Sequence, residues 1–297
     1  MDIAVTTSSI DKYISWLDLA KKKLSESYCI SYKTLFEIMD KYKITHMYFG
    51  NEFCQYLLPK ISNVRIAIKY CEQKGLDFVL ITPPLTEYGI NICREYLELF
   101  MNLKKDFSIV VNDIGLLQLI KEMKYSGKII FGRIMEKSIH EIRITDLEEK
   151  EYYTEIGYKY IHSLAYQSKY FLDFLKENDI SRIGYDGNKN VTDLDASNIG
   201  IDYYFPTEYL TTGRMCLFRI AGQSEKDKYL LNDKCAHLCQ NSMEILTKQI
   251  SYLKIDESGK RIREMEICRT GNTLFYLHCS VNTAISDRIV LDVESIY

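Results

Sequence analysis

The chain has 297 residues, 46% of them hydrophobic, and a formal net charge of -3. That content suits a buried core in one large α/β domain or two ordinary ones, argues against disorder, and supplies no global basic field to recruit nucleic acid or an anionic membrane. The opening MDIAVTTSSIDKYISWLDLAKKK has no basic segment followed by an apolar one, and no apolar run approaches the roughly 20 residues of a membrane span, so the expected location is cytoplasmic, away from any membrane. Nine cysteines, an odd number, favour reduced thiols, some of them metal ligands, over a disulfide framework.

In chain order, Ile10, Tyr13, Ile14, Leu17, Ala20 and Leu24 recur at helical spacing behind Ser9, a cap residue. Residues 1–27 therefore read as an N-terminal helical extension ahead of a barrel domain over 28–297. A short apolar, strand-like piece at 28–31 and a helix through Leu35, Ile38 and Met39 come next. From there the pattern repeats: strand 44–50, helix 63–74, strand 77–83, helix 92–105, strand 107–112, helix 114–124, strand 128–134. Short strands alternating with longer helices argue βαβ units and a parallel sheet.

Residues 137–160 read as a charged surface excursion, YQSKYFLDFLKEND as a helix, and SRIGYDG and GIDYYFPTEYL as further strands. EICRTGNTLFYLHCSV, with its TGN turn, reads as a C-terminal hairpin closing the fold. The expected fold class is α/β, a TIM-like (β/α) barrel, whole or incomplete, with an N-terminal helical extension and a C-terminal hairpin. A doubly wound open sheet stays as the alternative, because this pattern does not report closure.

The stretch 211–240 is rich in cysteine. Cys235 and Cys239, spaced Cys-x3-Cys, share one face of a helix or turn, and Cys216 lies 19 positions upstream. Asp233, Lys234, His237 and Gln240 make the neighbourhood polar, unlike a core element. Spacing alone leaves zinc, an iron-sulfur cluster and no metal as three open readings. Cys54 follows strand 44–50 and so falls on a strand-to-helix loop at the C-terminal face of a barrel, where such folds build their sites. Cys71 and Cys93 fall within helices, Cys29 near the short apolar piece, and Cys268 and Cys279 in the hairpin, where packing accounts for them.

Several of these segments match a known pattern. ITHMYFGNEFC, FSIVVNDIGLLQLI, TGRMC and NDKCAHLC stand in the order of the motifs of the peptidase U32 family, and the chain resembles it over roughly 44–280. The resemblance implies a TIM-type barrel with a 4Fe-4S cluster on Cys54, Cys216, Cys235 and Cys239, zinc being the alternative occupant. The cysteine pattern looks most like the smaller iron-sulfur subunit of that family's oxygen-independent ubiquinone hydroxylation system. It implies oxygen-independent hydroxylation or a related modification of a small molecule or RNA, with prephenate as oxygen donor and a homologous U32-type partner subunit. A non-catalytic iron-sulfur or zinc partner subunit and a peptidase are the other readings. The chain departs from the pattern after Cys216, where LFRIAG stands in place of the family's second SGRC element.

A hydroxylation component needs a cation for a dicarboxylate donor, and Arg133 and Arg214 are the candidates. Asn112 and Asp113, at the strand-to-helix step VVNDIG, are the other candidate catalytic residues, although Asp113 equally suits a helix N-cap. No His-Glu-x-x-His or Gly-x-Ser-x-Gly element supports a peptidase. His46 reads as a core or rim histidine, His140 and His162 fall in surface-like stretches, and His237 lies beside the thiols. The dispersed tyrosines give RNA stacking no support.

Overall fold

The computed structural model describes residues 1–23, 30–140, 153–187, 199–221, 223–227, 235–241, 243–245, 267–277 and 287–293. The first half alternates strands and helices: β1 (Asp2–Thr7), α1 (Ile10–Lys23), α2 (Ile30–Lys41), β2 (Ile44–Gly50), α3 (Ile61–Lys74), β3 (Asp77–Ile81), α4 (Glu87–Leu103), β4 (Ser108–Val111), α5 (Ile114–Glu122) and β5 (Ile129–Phe131). The second half holds α6 (Glu155–Ile161), α7 (Lys169–Glu177), β6 (Arg182–Tyr185), β7 (Gly200–Phe205), β8 (Thr207–Thr212), α8 (Leu217–Ala221), β9 (Met243–Ile245), β10 (Ile267–Thr270), β11 (Thr273–Leu277) and β12 (Arg288–Leu291).

Eight strands close into a parallel barrel in the order β1-β12-β7-β6-β5-β4-β3-β2, with helices outside. The open-sheet alternative is thereby removed, and closure depends on the two ends of the chain. Strand β1 pairs with β12 through Ala4 and Val290 on one side and with β2 through Ala4 and His46 on the other. The helix expected at the N-terminus does form as α1, but residues 2–7 ahead of it are a barrel strand, so the described part of that segment, 1–23, is not an extension appended to the domain. The strand-like reading of 28–31 also gives way, since α2 begins at Ile30; Cys29 lies outside the described residues.

The hairpin about Gly271 forms as expected from β10 and β11. It does not close the barrel. It belongs instead to an antiparallel sheet in the order β8-β11-β10-β9, and β12 returns afterwards to complete the barrel. Of the surface excursion, 153–160 contains the start of α6, and 141–152 lies outside the described residues.

The buried parallel strands explain the apolar runs in the sequence, because helices cover their outer faces and a core fills the inside. Ala4, Tyr48, Val110, Ile130, Tyr204 and Val290 belong to one apolar cluster drawn from separate barrel strands. Strand β6 adds no bulk there: a Cβ at Gly184 would come within 2.8 Å of the Arg133 backbone nitrogen and 3.1 Å of the Tyr204 ring. Toward the strand starts the interior turns polar. Arg182 Nε donates to Asp202 Oδ1 at 2.5 Å, Tyr48 OH donates to Asp202 Oδ2, and Arg288 Nη1 donates to Tyr48 OH at 2.9 Å.

Gly50 ends β2 with φ 141, and a Cβ there would lie 2.1 Å from the Ile81 carbonyl oxygen of β3. Backbone strain and overpacking therefore add at this position. Gly50→Ala is expected to cost about 2–4 kcal/mol in urea unfolding, whereas Gly213→Ala, where a Cβ meets nothing within 4 Å, should stay within about 0.5 kcal/mol.

Candidate functional site

A cavity of about 900 Å³ opens at the C-terminal end of the barrel strands, walled by the loop after β2, the segment after β8 and the tip of the β10–β11 hairpin. Cys54, Cys216, Cys235 and Cys239 all belong to its wall. Their separate origins make the local geometry informative. The Asn51 carbonyl oxygen Oδ1 accepts from the Phe53 and Cys54 N–H groups at 3.1 and 2.8 Å, folding the loop back just before Cys54. A single 3₁₀ turn, Gln55–Leu57, follows that thiol.

Cys216 precedes α8, its carbonyl accepting from the Ile220 N–H at 3.0 Å. At the Cys-x3-Cys pair, His237 adopts φ 55 and its N–H points at Cys235 Sγ, 3.4 Å away; Cys239 sits in the 3₁₀ turn Leu238–Asn241. The hairpin tip ties these pieces together. Asn272 Nδ2 donates to the carbonyls of Phe53 at 2.9 Å and Gly213 at 2.6 Å, so one amide clamps the Cys54 loop to the Cys216 segment.

Cys54 and Cys239 feel the other thiols of the wall. Burial pushes the Cys54 thiol up to about 12, partly opposed by the Tyr56 backbone N–H, and the charges of Cys239, Cys235 and Cys216 push it further. Burial also raises Cys239, with Cys216 and Cys235 adding to it. Cys54 and Cys239 are thereby held protonated, so a metal that takes them as thiolates must release protons. Four sulfurs lining one cavity suit a thiophilic metal in kind, although their spacing does not bring three of them into one ligand group. Among the described residues, no three or more His, Cys, Asp or Glu side chains form a group that could hold a metal ion. The remaining described cysteines are buried in the packing: Cys71 on α3, 3.7 Å from Met47 Sδ, Cys93 on α4 and Cys268 on β10. Cys29 and Cys279 lie outside the described residues.

The other expected site residues separate into two groups. Arg214 stands in the cavity wall, with Nη2 donating to the Leu85 carbonyl at 2.9 Å. Arg133 does not. Its side chain is 1% exposed, and four of its N–H donors go to protein acceptors: Nε to Glu52 Oε2 at 3.0 Å, Nη2 to Asp292 Oδ2 at 2.5 Å, and Nη1 to the Thr207 carbonyl and hydroxyl at 2.7 and 3.2 Å. The guanidinium also lies 4.2 Å from the Tyr204 ring centroid and 5.1 Å from that of Phe53. This arginine braces the barrel mouth and has little left to offer a ligand carboxylate.

Asn112 and Asp113 are likewise occupied. Asn112 is buried, donating from Nδ2 to the Thr82 carbonyl at 2.8 Å and accepting from the Ile134 N–H at 3.2 Å, which links the ends of β3, β4 and β5. Asp113 takes the N-cap role: Oδ1 accepts from the Gly115 and Leu116 N–H groups of α5, and Oδ2 from the Leu85 N–H at 2.9 Å. Neither belongs to the cavity wall as Arg214 does.

Sequence reasoning missed the carboxylates around Arg133. Glu52, Asp186 and Asp292 are all buried, and each lies within two residues of the C-terminal end of a barrel strand, the position that would have singled them out. Burial, with Asp292 and Asp186 adding to it, raises Glu52 to about 7 against the pull of Arg133. No protein-family model, curated protein or solved structure matches the chain. Among the described residues, no helix is long and apolar enough to cross a membrane.

Removing the brace strands two buried carboxylates. Arg133→Met is expected to cost about 3–5 kcal/mol in urea unfolding, whereas Arg214→Met, at an exposed position, should change stability by no more than about 0.5 kcal/mol.

Proposed function

We propose that this chain is an iron-sulfur protein of the U32 type, binding a 4Fe-4S cluster through Cys54, Cys216, Cys235 and Cys239 and taking part in oxygen-independent hydroxylation or a related modification of a small molecule or RNA. The observation that carries this reading is that four thiols, from three separate segments of the chain, line one cavity at the barrel mouth. A cluster held there by four thiolates supplies one-electron transfer.

The chain's own residues do the rest. Asn272 holds the Cys54 loop and the Cys216 segment at a fixed spacing through its two amide hydrogen bonds. Arg214, with Lys12 and Lys137 elsewhere on the wall, supplies positive charge for an anionic donor. Arg133 keeps the floor rigid beneath them. A homologous partner subunit completes the reading, since the resemblance is to one half of a paired system.

Iron, zinc and acid-labile sulfide on protein purified without oxygen test the cofactor. About four irons and four sulfides per chain are expected; stoichiometric zinc, or no metal, overturns the redox reading. Serine at Cys54, Cys216, Cys235 or Cys239 should each lower bound iron, while serine at Cys71 or Cys93 leaves it unchanged. Asn272→Ala, which removes no sulfur, should speed iron loss to a chelator.

A further inference from the structure

The cavity wall carries an imidazole that the thiol site does not use. His140 follows β5, and its side chain is 8% exposed. Its Nδ1 lies 3.4 Å from Oε1 of Glu208, a β8 residue whose side chain is 1% exposed. A carboxylate only accepts, so in the neutral ring Nδ1 carries the proton and Nε2 keeps a lone pair. Nε2 is buried and has no hydrogen-bond partner among the described residues, and His140 is one of the residues that line the cavity. Tyr209 lies against the ring, centroids 4.5 Å apart, and limits its rotation.

Charged groups face this ring from each neighbouring element: Glu208 from β8, Asp186 from the end of β6, and Glu136 from the loop after β5. Glu136 is committed elsewhere, accepting from the Ala165 N–H at 2.5 Å and the Ser138 N–H at 2.9 Å. Asp186 accepts from the Tyr209 N–H at 3.0 Å and lies within the field of Arg133. An imidazole nitrogen left buried without a partner costs about 1–3 kcal/mol. Such an atom calls for an explanation, and a ligand is one.

We propose that His140 is the proton acceptor of this cavity: Nε2 takes the proton of a hydroxyl group on a ligand seated there, and Glu208 and Asp186 stabilise the imidazolium that results. The O–H bond breaks, its electron pair stays on the ligand oxygen, and an N–H bond forms. Nothing is oxidised or reduced, so the proposal is independent of any metal on the thiols. Burial disfavours the charged ring, but the Asp186, Glu208 and Glu136 carboxylates outweigh it and hold the His140 pKa above its ordinary value. A histidine pKa raised by folding stabilises the protein fully below the ordinary value and loses that contribution as pH rises through the folded one.

The test is a ¹⁵N-histidine NMR titration of the full chain, His140 being assigned from H140Q, together with acylation by diethyl pyrocarbonate as a ligand-sized probe. The neutral ring should be protonated at Nδ1, its titration midpoint should lie above that of free histidine, and E208Q and D186N should each shift it down. Acylation at Nε2, which releases ethanol and carbon dioxide, should occur in the folded chain and slow as pH falls through the midpoint. His46 should be spared, because Thr45 and Asp77 face its two nitrogens at 2.8 and 3.5 Å. Should E208Q fail to fold, the wild-type tautomer and midpoint decide alone. A neutral ring protonated at Nε2, a midpoint at or below that of free histidine, or acylation of His140 only after unfolding in urea overturns the proposal.

Discussion

The barrel mouth depends on one guanidinium. Arg133 joins Glu52 beyond β2, Asp292 beyond β12 and Thr207 at the start of β8 to its own position beyond β5, so a single side chain spans the opening. Burial opposes its charge, yet Glu52, Asp292 and Asp186 outweigh that penalty and raise its pKa above the ordinary arginine value. Carboxylates outnumber the cation here. Near the strand starts Arg182 and Arg288 share the buried carboxylate of Asp202, and each reaches a more exposed one at the rim, Asp287 and Asp2. The interior therefore holds one charged cluster toward the cavity and another at the far end, separated by the apolar layer around Tyr204 and Val290.

This arrangement explains what the cavity offers a ligand. The guanidinium beneath it is already neutralised by protein carboxylates, and positive charge on the wall itself stands at Lys12, Lys137, Arg214 and the buried Arg219. The thiols lie on loops, but those loops are tied to rigid pieces by Asn51 and by Asn272 at the hairpin tip. The antiparallel sheet that β8 begins thus has a positional role. It carries a turn to the barrel mouth and sets two thiol-bearing segments against each other.

The alternation of strands and helices from 44 to 134 was legible because buried parallel strands are unbroken apolar runs between amphipathic helices. Strands β1 and β12 were not. DIAVTT lies directly before a strong helical pattern, and RIVL after the hairpin, and only their mutual pairing makes either one a barrel strand. Cys54 could be placed on the face of the Cys-x3-Cys pair because it follows a strand, a rule that topology supplies. No comparable rule separates an arginine that braces carboxylates from one that meets a ligand: Arg133 and Arg214 look alike until the burial of Glu52 and Asp292 is known. His140 was hidden by its charged surroundings in sequence, whereas in space those charges are the buried Glu208 and Asp186.

The pairing of β1 with β12 also has a temporal meaning. Parallel register between Asp2 and Arg288 requires contact between segments synthesised nearly a whole chain apart, and such non-local closure is slow. Until Arg288 to Leu291 emerge from the ribosome, β1 presents an unpaired edge, and the growing chain is a sheet open to wrong partners. Cys239 has already been translated by then, so every thiol of the site exists before the mouth that gathers them.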